Sequence, residues 1–258
     1  MNTISQFQDA IRSAGFNPPD VIEPGKIHRF STNGKRSDDA GWCIHFEDGL
    51  GGVFGDHRTG LQQSWQAKRD RLNTAAEREA FQHKVAEVRV QREAEEKQHH
   101  AEAAEKATMI WKSATPAEDH AYLRQKGVKS HGLRVHEDKL VIPMRHSDGK
   151  LHSLQFISAD GEKRYLPGGA KKGHYFGIGK PAGVVCVCEG YATAASVHEA
   201  TGHAVAVAFD AGNLEPVARA LRVKLPDAKL ILCADNDVQP GKPNTGIEAA
   251  MSPNLGAA

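Results

Sequence analysis

Three short apolar runs near the C-terminal end constrain the fold more than any other feature of this chain. They read "VVCVC" (Val184–Cys188), "HAVAVAF" (His203–Phe209) and "KLILCA" (Lys229–Ala234). Each has strand length, and a helix-length stretch separates it from the next. Buried strands alternating with helices predict βαβ units and a parallel sheet flanked by helices. Ligands of such sheets sit outside the carboxyl ends of the strands. At those ends stand Glu189-Gly190, Asp210 and Asp235-Asn236-Asp237.

Acids from separate strands thus converge on one edge. Carboxylates within ~4–6 Å of one another repel and raise each other's pKa, and a hard divalent cation relieves that repulsion. Mg²⁺ suits the arrangement, because it takes a few carboxylate oxygens and keeps sites for water and substrate phosphate. The competing reading is structural: acids after strands also cap helices and form turns. For Asp210 both readings stay open, since "DAGN" also reads as a turn that caps the next helix.

The rest of the chain divides into further blocks. Residues 1–62 open with Ile4, Phe7 and Ile11 on one helical face, then strand candidates "KIHRF", "WCIHF" and "GGVFG" between Gly/Asp-rich turns, giving a small α+β module. Trp42 and Phe54 read as its core. Residues 63–114 read as a long charged helix or linker with no Pro or Gly, its few apolar positions including Leu72, Phe81, Val85 and Val88. Its role is that of a spacer or of a helix packed by one face, with His99 and His100 turned to solvent. Thr115-Pro116-Ala117-Glu118 predicts a new helix start, with Pro at the first helical position. Residues 115–180 are β-rich, with "HSDGK" and "SADGE" as Asp-Gly hairpin turns, and 181–258 hold the parallel sheet.

Bulk properties exclude little but are consistent. The 258 residues carry a formal net charge of +1, which does not advertise nucleic-acid binding yet can hide local basic patches. No apolar run reaches the ~18 residues of a membrane span. The N-terminus lacks the layout of a secretory signal, so a cytoplasmic location is expected. The four cysteines, Cys43, Cys186, Cys188 and Cys233, show no Cys/His metal spacing, so no zinc is expected.

With these residues in place, the chain resembles the topoisomerase–primase (Toprim) domain. Its Glu-Gly after the first strand matches "CVCEGYATAASVHEATG", and its Asp-x-Asp after the third matches "LILCADNDVQPGKPNTGIEAA". Upstream, "VIPMRHSDGKLHSLQFISADGEKRYLPGG" and "KKGHYFGIG" resemble the β-rich core that precedes Toprim in bacterial-type DNA primases, and "GWCIHFEDGLGGVFGDHRTG" resembles the leader of primases of plasmids, phages and integrative elements. The resemblance covers about residues 115–250.

It implies a catalytic acid/base at Glu189 and Mg²⁺ (or Mn²⁺) held by Asp235, Asp237 and Glu189. It places Lys163 and Arg164 toward nucleotide phosphate or template, and Lys171-Lys172 reads either as a surface loop or as a second phosphate contact. The activity implied is Mg²⁺-dependent synthesis of short RNA primers on single-stranded DNA from ribonucleoside triphosphates, with a replicative helicase as a partner. A Toprim nuclease and a non-catalytic nucleic-acid-binding or interaction module are the alternatives. Three departures from the family stand out. The chain ends at "AAMSPNLGAA" where a further strand and acidic element are usual, "LHSLQFIS" replaces a Gly-rich hairpin edge, and the zinc-binding leader is missing.

Overall fold

The computed structural model describes residues 2–35, 38–68, 73–234 and 244–251. The chain packs as two units, Met1–Glu95 and Glu96–Ala258.

In the first unit, helix α1 (Thr3–Ser13) is capped by the Asn2 side chain, which accepts from the Ile4 amide. It buries Phe7 and Ile11 completely, as their spacing predicts. Four antiparallel strands follow in sequence order: β1 (Ile27–Phe30), β2 (Gly41–His45), β3 (Gly51–Asp56) and β4 (Leu61–Gln66). Trp42, Ile44, Phe46 and Val53 form a cluster on which Phe81, Val85 and Val88 of helix α2 (Ala75–Ser113) pack.

Two sequence expectations need correction here. The long helix begins at Ala75 rather than near residue 64, because Leu61–Gln66 has the length and register to extend the sheet beside β3. Thr115-Pro116 does not open a helix. It forms the short strand β5 (Thr115–Pro116) against β6 (Arg134–His136), and helix α3 (Ala121–Lys126) starts after His120, whose Nδ1 accepts from the Tyr122 amide.

The second unit joins two sheets. The first has the order β5-β6-β7-β8-β9, with β7 (Lys139–Arg145), β8 (Leu151–Ile157) and β9 (Lys163–Tyr165) paired antiparallel through the two Asp-Gly turns. Val141, Leu154 and Leu166 pack on Ala103 and Ala107 of α2. Leu140, Ile142, Met144 and Ile157 belong to the cluster that also includes Cys186, Val205 and Ala194.

The second sheet has the order β10-β12-β11-β13. Here β11 (Val184–Cys188), β12 (Ala204–Val207) and β13 (Lys229–Cys233) are parallel, and β10 (Phe176–Ile178) runs antiparallel at the edge. Helices α4 (Tyr191–Thr201) and α5 (Leu214–Lys224) make the connections, and α6 (Thr245–Ala250) follows. Alternation settles which face each residue covers. Cys186, Cys188, Val205 and Val207 point into the cluster with α4, whereas Val185, Val187, Ala204 and Ala206 meet Leu214, Val217 and Leu221 of α5. A backbone bridge between Arg145 and Tyr175, two hydrogen bonds of 3.0 Å, ties the end of β7 to the segment leading into β10. Among the described residues no helix is long and apolar enough to cross a membrane.

Two outcomes follow for the first unit. A Cβ on Gly55 would lie 2.1 Å from the Leu61 carbonyl oxygen and 2.9 Å from the Trp42 ring. Gly55→Ala is therefore expected to lower stability by about 1–3 kcal/mol in urea unfolding followed by tryptophan fluorescence. An unchanged midpoint would show that β3 and β4 can part without cost. His45 is 1% exposed beside Phe7 and Trp65, and burial holds its imidazole below the ordinary value of 6.5. The unfolded chain therefore binds the proton more tightly, so this contribution is complete above 6.5 and is lost as pH falls below it. His45→Leu should flatten the fall in Tm between ~pH 6.5 and ~pH 5; an identical pH profile would remove His45 as its source.

Candidate functional site at the strand ends

The parallel register places the ends of three strands side by side. Cys188 pairs with Val207 on one side and with Cys233 on the other. Residues 189 and 234 therefore leave adjacent strands at one level. The strand order also reverses here: β12 lies to one side of β11 and β13 to the other, which makes the end of β11 a switch point.

Glu189 is half-buried at that point, one residue past β11, and Gly190 opens α4. The sheet's antiparallel neighbour brings a cation to this turn. A Cβ on Gly190 would lie 3.6 Å from the Lys163 Nζ, so the β9 ammonium stands against the Glu-Gly turn. Tyr191 is fully buried and donates its hydroxyl to the Lys129 carbonyl at 2.6 Å, which gives it a structural role. Asp235 and Asp237 lie outside the described residues. Glu189 supplies a hard oxygen donor of the kind Mg²⁺ takes.

The end of β12 is held by several groups that sequence reasoning missed. Phe209 has φ +78°, the left-handed region that a bulky residue rarely adopts, at a cost of ~1–3 kcal/mol. Its ring is buried, and its carbonyl accepts the Tyr165 hydroxyl at 3.1 Å. Burial first, and then the Asp210 carboxylate, push the Tyr165 phenol up to about 12, so it stays a donor across neutral pH. Asp210 opens a 3-10 turn (Ala211–Asn213) without capping it by side chain; instead its carboxylate pairs with the Lys171 ammonium. Lys171 also sits over the Tyr165 ring, 5.2 Å from its centroid. Buried Asn213 fastens this corner with three hydrogen bonds: it accepts from the Gly173 amide at 2.8 Å and donates to the His174 and Ala208 carbonyls at 3.1 and 2.7 Å.

The four basic residues singled out in the sequence are divided by the structure. Lys163 and Tyr165 share one face of β9, and Lys171 joins them at the strand-end rim. Arg164 alternates to the other face, where its Nε and Nη2 donate to Glu162 Oε1 at 3.0 and 2.9 Å. That exposed pair contributes about 0–1 kcal/mol. Arg164 there lines a groove of about 660 Å³ with Lys106, Lys139, Phe156 and Pro167. Lys172 is exposed, and its carbonyl bonds to His174 Nδ1 at 2.9 Å. The period-2 alternation of "EKRYL" was the available signal for the split, and it points Tyr165 the same way as Lys163.

Residues 183–252 match the family model of the Toprim domain. A DNA primase TraC of Escherichia coli is 34% identical over 252 residues, covering 91% of this chain and 23% of that protein. A second Escherichia coli DNA primase TraC is 32% identical over 254 residues, covering 92% of this chain and 18% of that protein. The chain thus spans less than a quarter of the length of these relatives. A chain from the solved assembly of bacteriophage T7 lagging-strand DNA polymerase with primase domains of two gp4 subunits, an RNA/DNA hybrid and dTTP aligns with a TM-score of 0.36 at 15% identity, covering 53% of this chain and 70% of that chain.

If Asn213 fixes the corner, Asn213→Ala should cost about 2–4 kcal/mol by leaving buried backbone groups unpaired. Its effect should exceed that of Tyr165→Phe, which removes one hydrogen bond, in parallel denaturant titrations. Equal small losses would mean that the corner is held by packing alone.

Proposed function

From a Toprim domain whose strand ends carry Glu189 beside Lys163, and from 34% identity to a DNA primase along nearly the whole chain, we propose that this protein is the catalytic core of a primase of a mobile element. It would join ribonucleotides into short primers on single-stranded DNA, in the cytoplasm and beside a replicative helicase. In the same reading the residues through β4 form a leader module and helix α2 a linker, while 115–180 form the primase-core subdomain and 181–258 the Toprim domain.

The observation that carries this reading is the placement of two carboxylates, Glu189 and Asp210, and two ammonium groups, Lys163 and Lys171, at adjacent parallel-strand ends. Primer extension is attack of a 3′-hydroxyl on the α-phosphate of an incoming triphosphate, and positioning with charge stabilisation does most of the work in such transfers. Glu189 is suited to accept the hydroxyl proton, and Lys163, whose Nζ stands against the Gly190 turn, to meet phosphate oxygens. Lys171 can exchange Asp210 for a triphosphate oxygen, since both partners are half-exposed. Mg²⁺ held by Glu189, Asp235 and Asp237 would supply the positive charge that neutralises the phosphates. Arg164, on the opposite face, is suited to template phosphate rather than to the triphosphate.

Incubation with single-stranded DNA, ribonucleoside triphosphates and Mg²⁺ should yield short RNA products. Glu189→Gln, or Asp235→Ala with Asp237→Ala, should reduce synthesis by at least ~10²-fold. Lys163→Ala should reduce it by ~10-fold or more, with Arg164→Ala changing template affinity instead. Full synthesis by the Asp235/Asp237 double variant would overturn the mechanism, and shortening of labelled DNA without nucleotides would favour the nuclease reading.

A further inference from the structure

The Arg145–Tyr175 bridge that ties the two sheets has a second consequence. Antiparallel pairing at 145 and 175 sets His146 opposite His174, and an irregularity between Met144 and Arg145 brings His152 to the same place. The three rings form a closed triangle, with centroids 4.6 Å apart for His152–His174, 5.7 Å for His146–His174 and 6.1 Å for His146–His152. Bonds of ~2.0 Å from one tetrahedral ion to three imidazole nitrogens place ring centroids about 5 Å apart.

One ring, His174, is poised as a ligand, and the other two must turn to join it. His174 is 8% exposed, and its Nδ1 donates to the Lys172 carbonyl at 2.9 Å. That bond fixes the tautomer and leaves the lone pair on Nε2, a nitrogen that is buried without a hydrogen-bond partner. A buried acceptor with nothing to accept is destabilising, and a metal bond removes that cost. His146 Nδ1 lies 3.3 Å from the Asp148 carboxylate, a contact of the kind that orients a metal-bound imidazole from behind, and 3.4 Å from the Asp148 amide nitrogen.

We propose that His146, His152 and His174 form a site for a borderline divalent cation of the Zn²⁺ class. The ion would pin the segment that delivers Lys171 to the strand-end rim onto the β7–β8 hairpin. Among the described residues no three His, Cys, Asp or Glu already stand in metal-binding geometry. The site closes by turning His146, half-exposed at 50%, and His152 about their soft ring torsions toward the fixed Nε2 of His174. Imidazole donors favour Zn²⁺, Co²⁺ and Ni²⁺ over Mg²⁺, so the site is chemically separate from the carboxylate edge.

Titration of the whole chain with Co²⁺ tests this through the visible bands of a nitrogen-ligated ion. One equivalent should bind, Zn²⁺ should displace it, excess Mg²⁺ should not, and Zn²⁺ should raise Tm. His146→Ala/His152→Ala should weaken binding by at least ~10-fold, and Asp148→Ala by ~10–100-fold. The double variant leaves the buried His174 in place, so folding, checked by circular dichroism, is retained. Absence of Co²⁺ bands in the wild type overturns the site, as does a double variant that binds Co²⁺ within threefold of the wild type.

Discussion

One apolar contact decides where every functional group of the second unit lies. The face of the antiparallel sheet that carries Leu140, Ile142, Met144 and Ile157 is covered by the Cys186/Cys188 and Val205/Val207 faces of the parallel sheet and by α4. Each CH₂ withdrawn from water there contributes ~0.8 kcal/mol, and all the side chains named are at least nine-tenths buried. Because neither sheet can slide without exposing its partner's strands, β9 is held beside the ends of β11 and β12. Lys163 of one sheet and the strand ends of the other become neighbours at one rim as a result of core packing.

The parts of this arrangement that were legible in the sequence are those set by short-range pattern. The three parallel strands, the helices between them, both Asp-Gly hairpins and the buried face of α1 follow from periodicity and turn chemistry. The β-formers of Val184–Cys188 and the glycine turn at Gly202, with φ +72°, are cases in point. Thr115-Pro116 misled because its dipeptide chemistry suits a helix start equally well as an edge strand, and pairing with Arg134 and Val135, remote in sequence, decided between them.

What was not legible depends on register. Lys163 and Arg164 are neighbours in sequence and opposites in space, since a strand sends successive side chains to different faces. The Lys171–Asp210 pair spans 39 residues and arises only once β12 lies beside β11. The imidazole triangle is hidden for the same reason: no helical or finger-like spacing links 146, 152 and 174, and a single backbone bridge assembles them.

The left-handed backbone at Phe209 turns the peptide plane that precedes Asp210 away from the direction a regular strand exit would give it. Aim at this rim is thus obtained by a locally disfavoured geometry, clamped by a ring in the core and a phenol from another sheet. A chain built this way tolerates drift in the Asp210 side chain more readily than drift in the aromatic residues behind it. Selection for accuracy at the rim would register as constancy in Phe209 and Tyr165, two residues whose rings carry no charge.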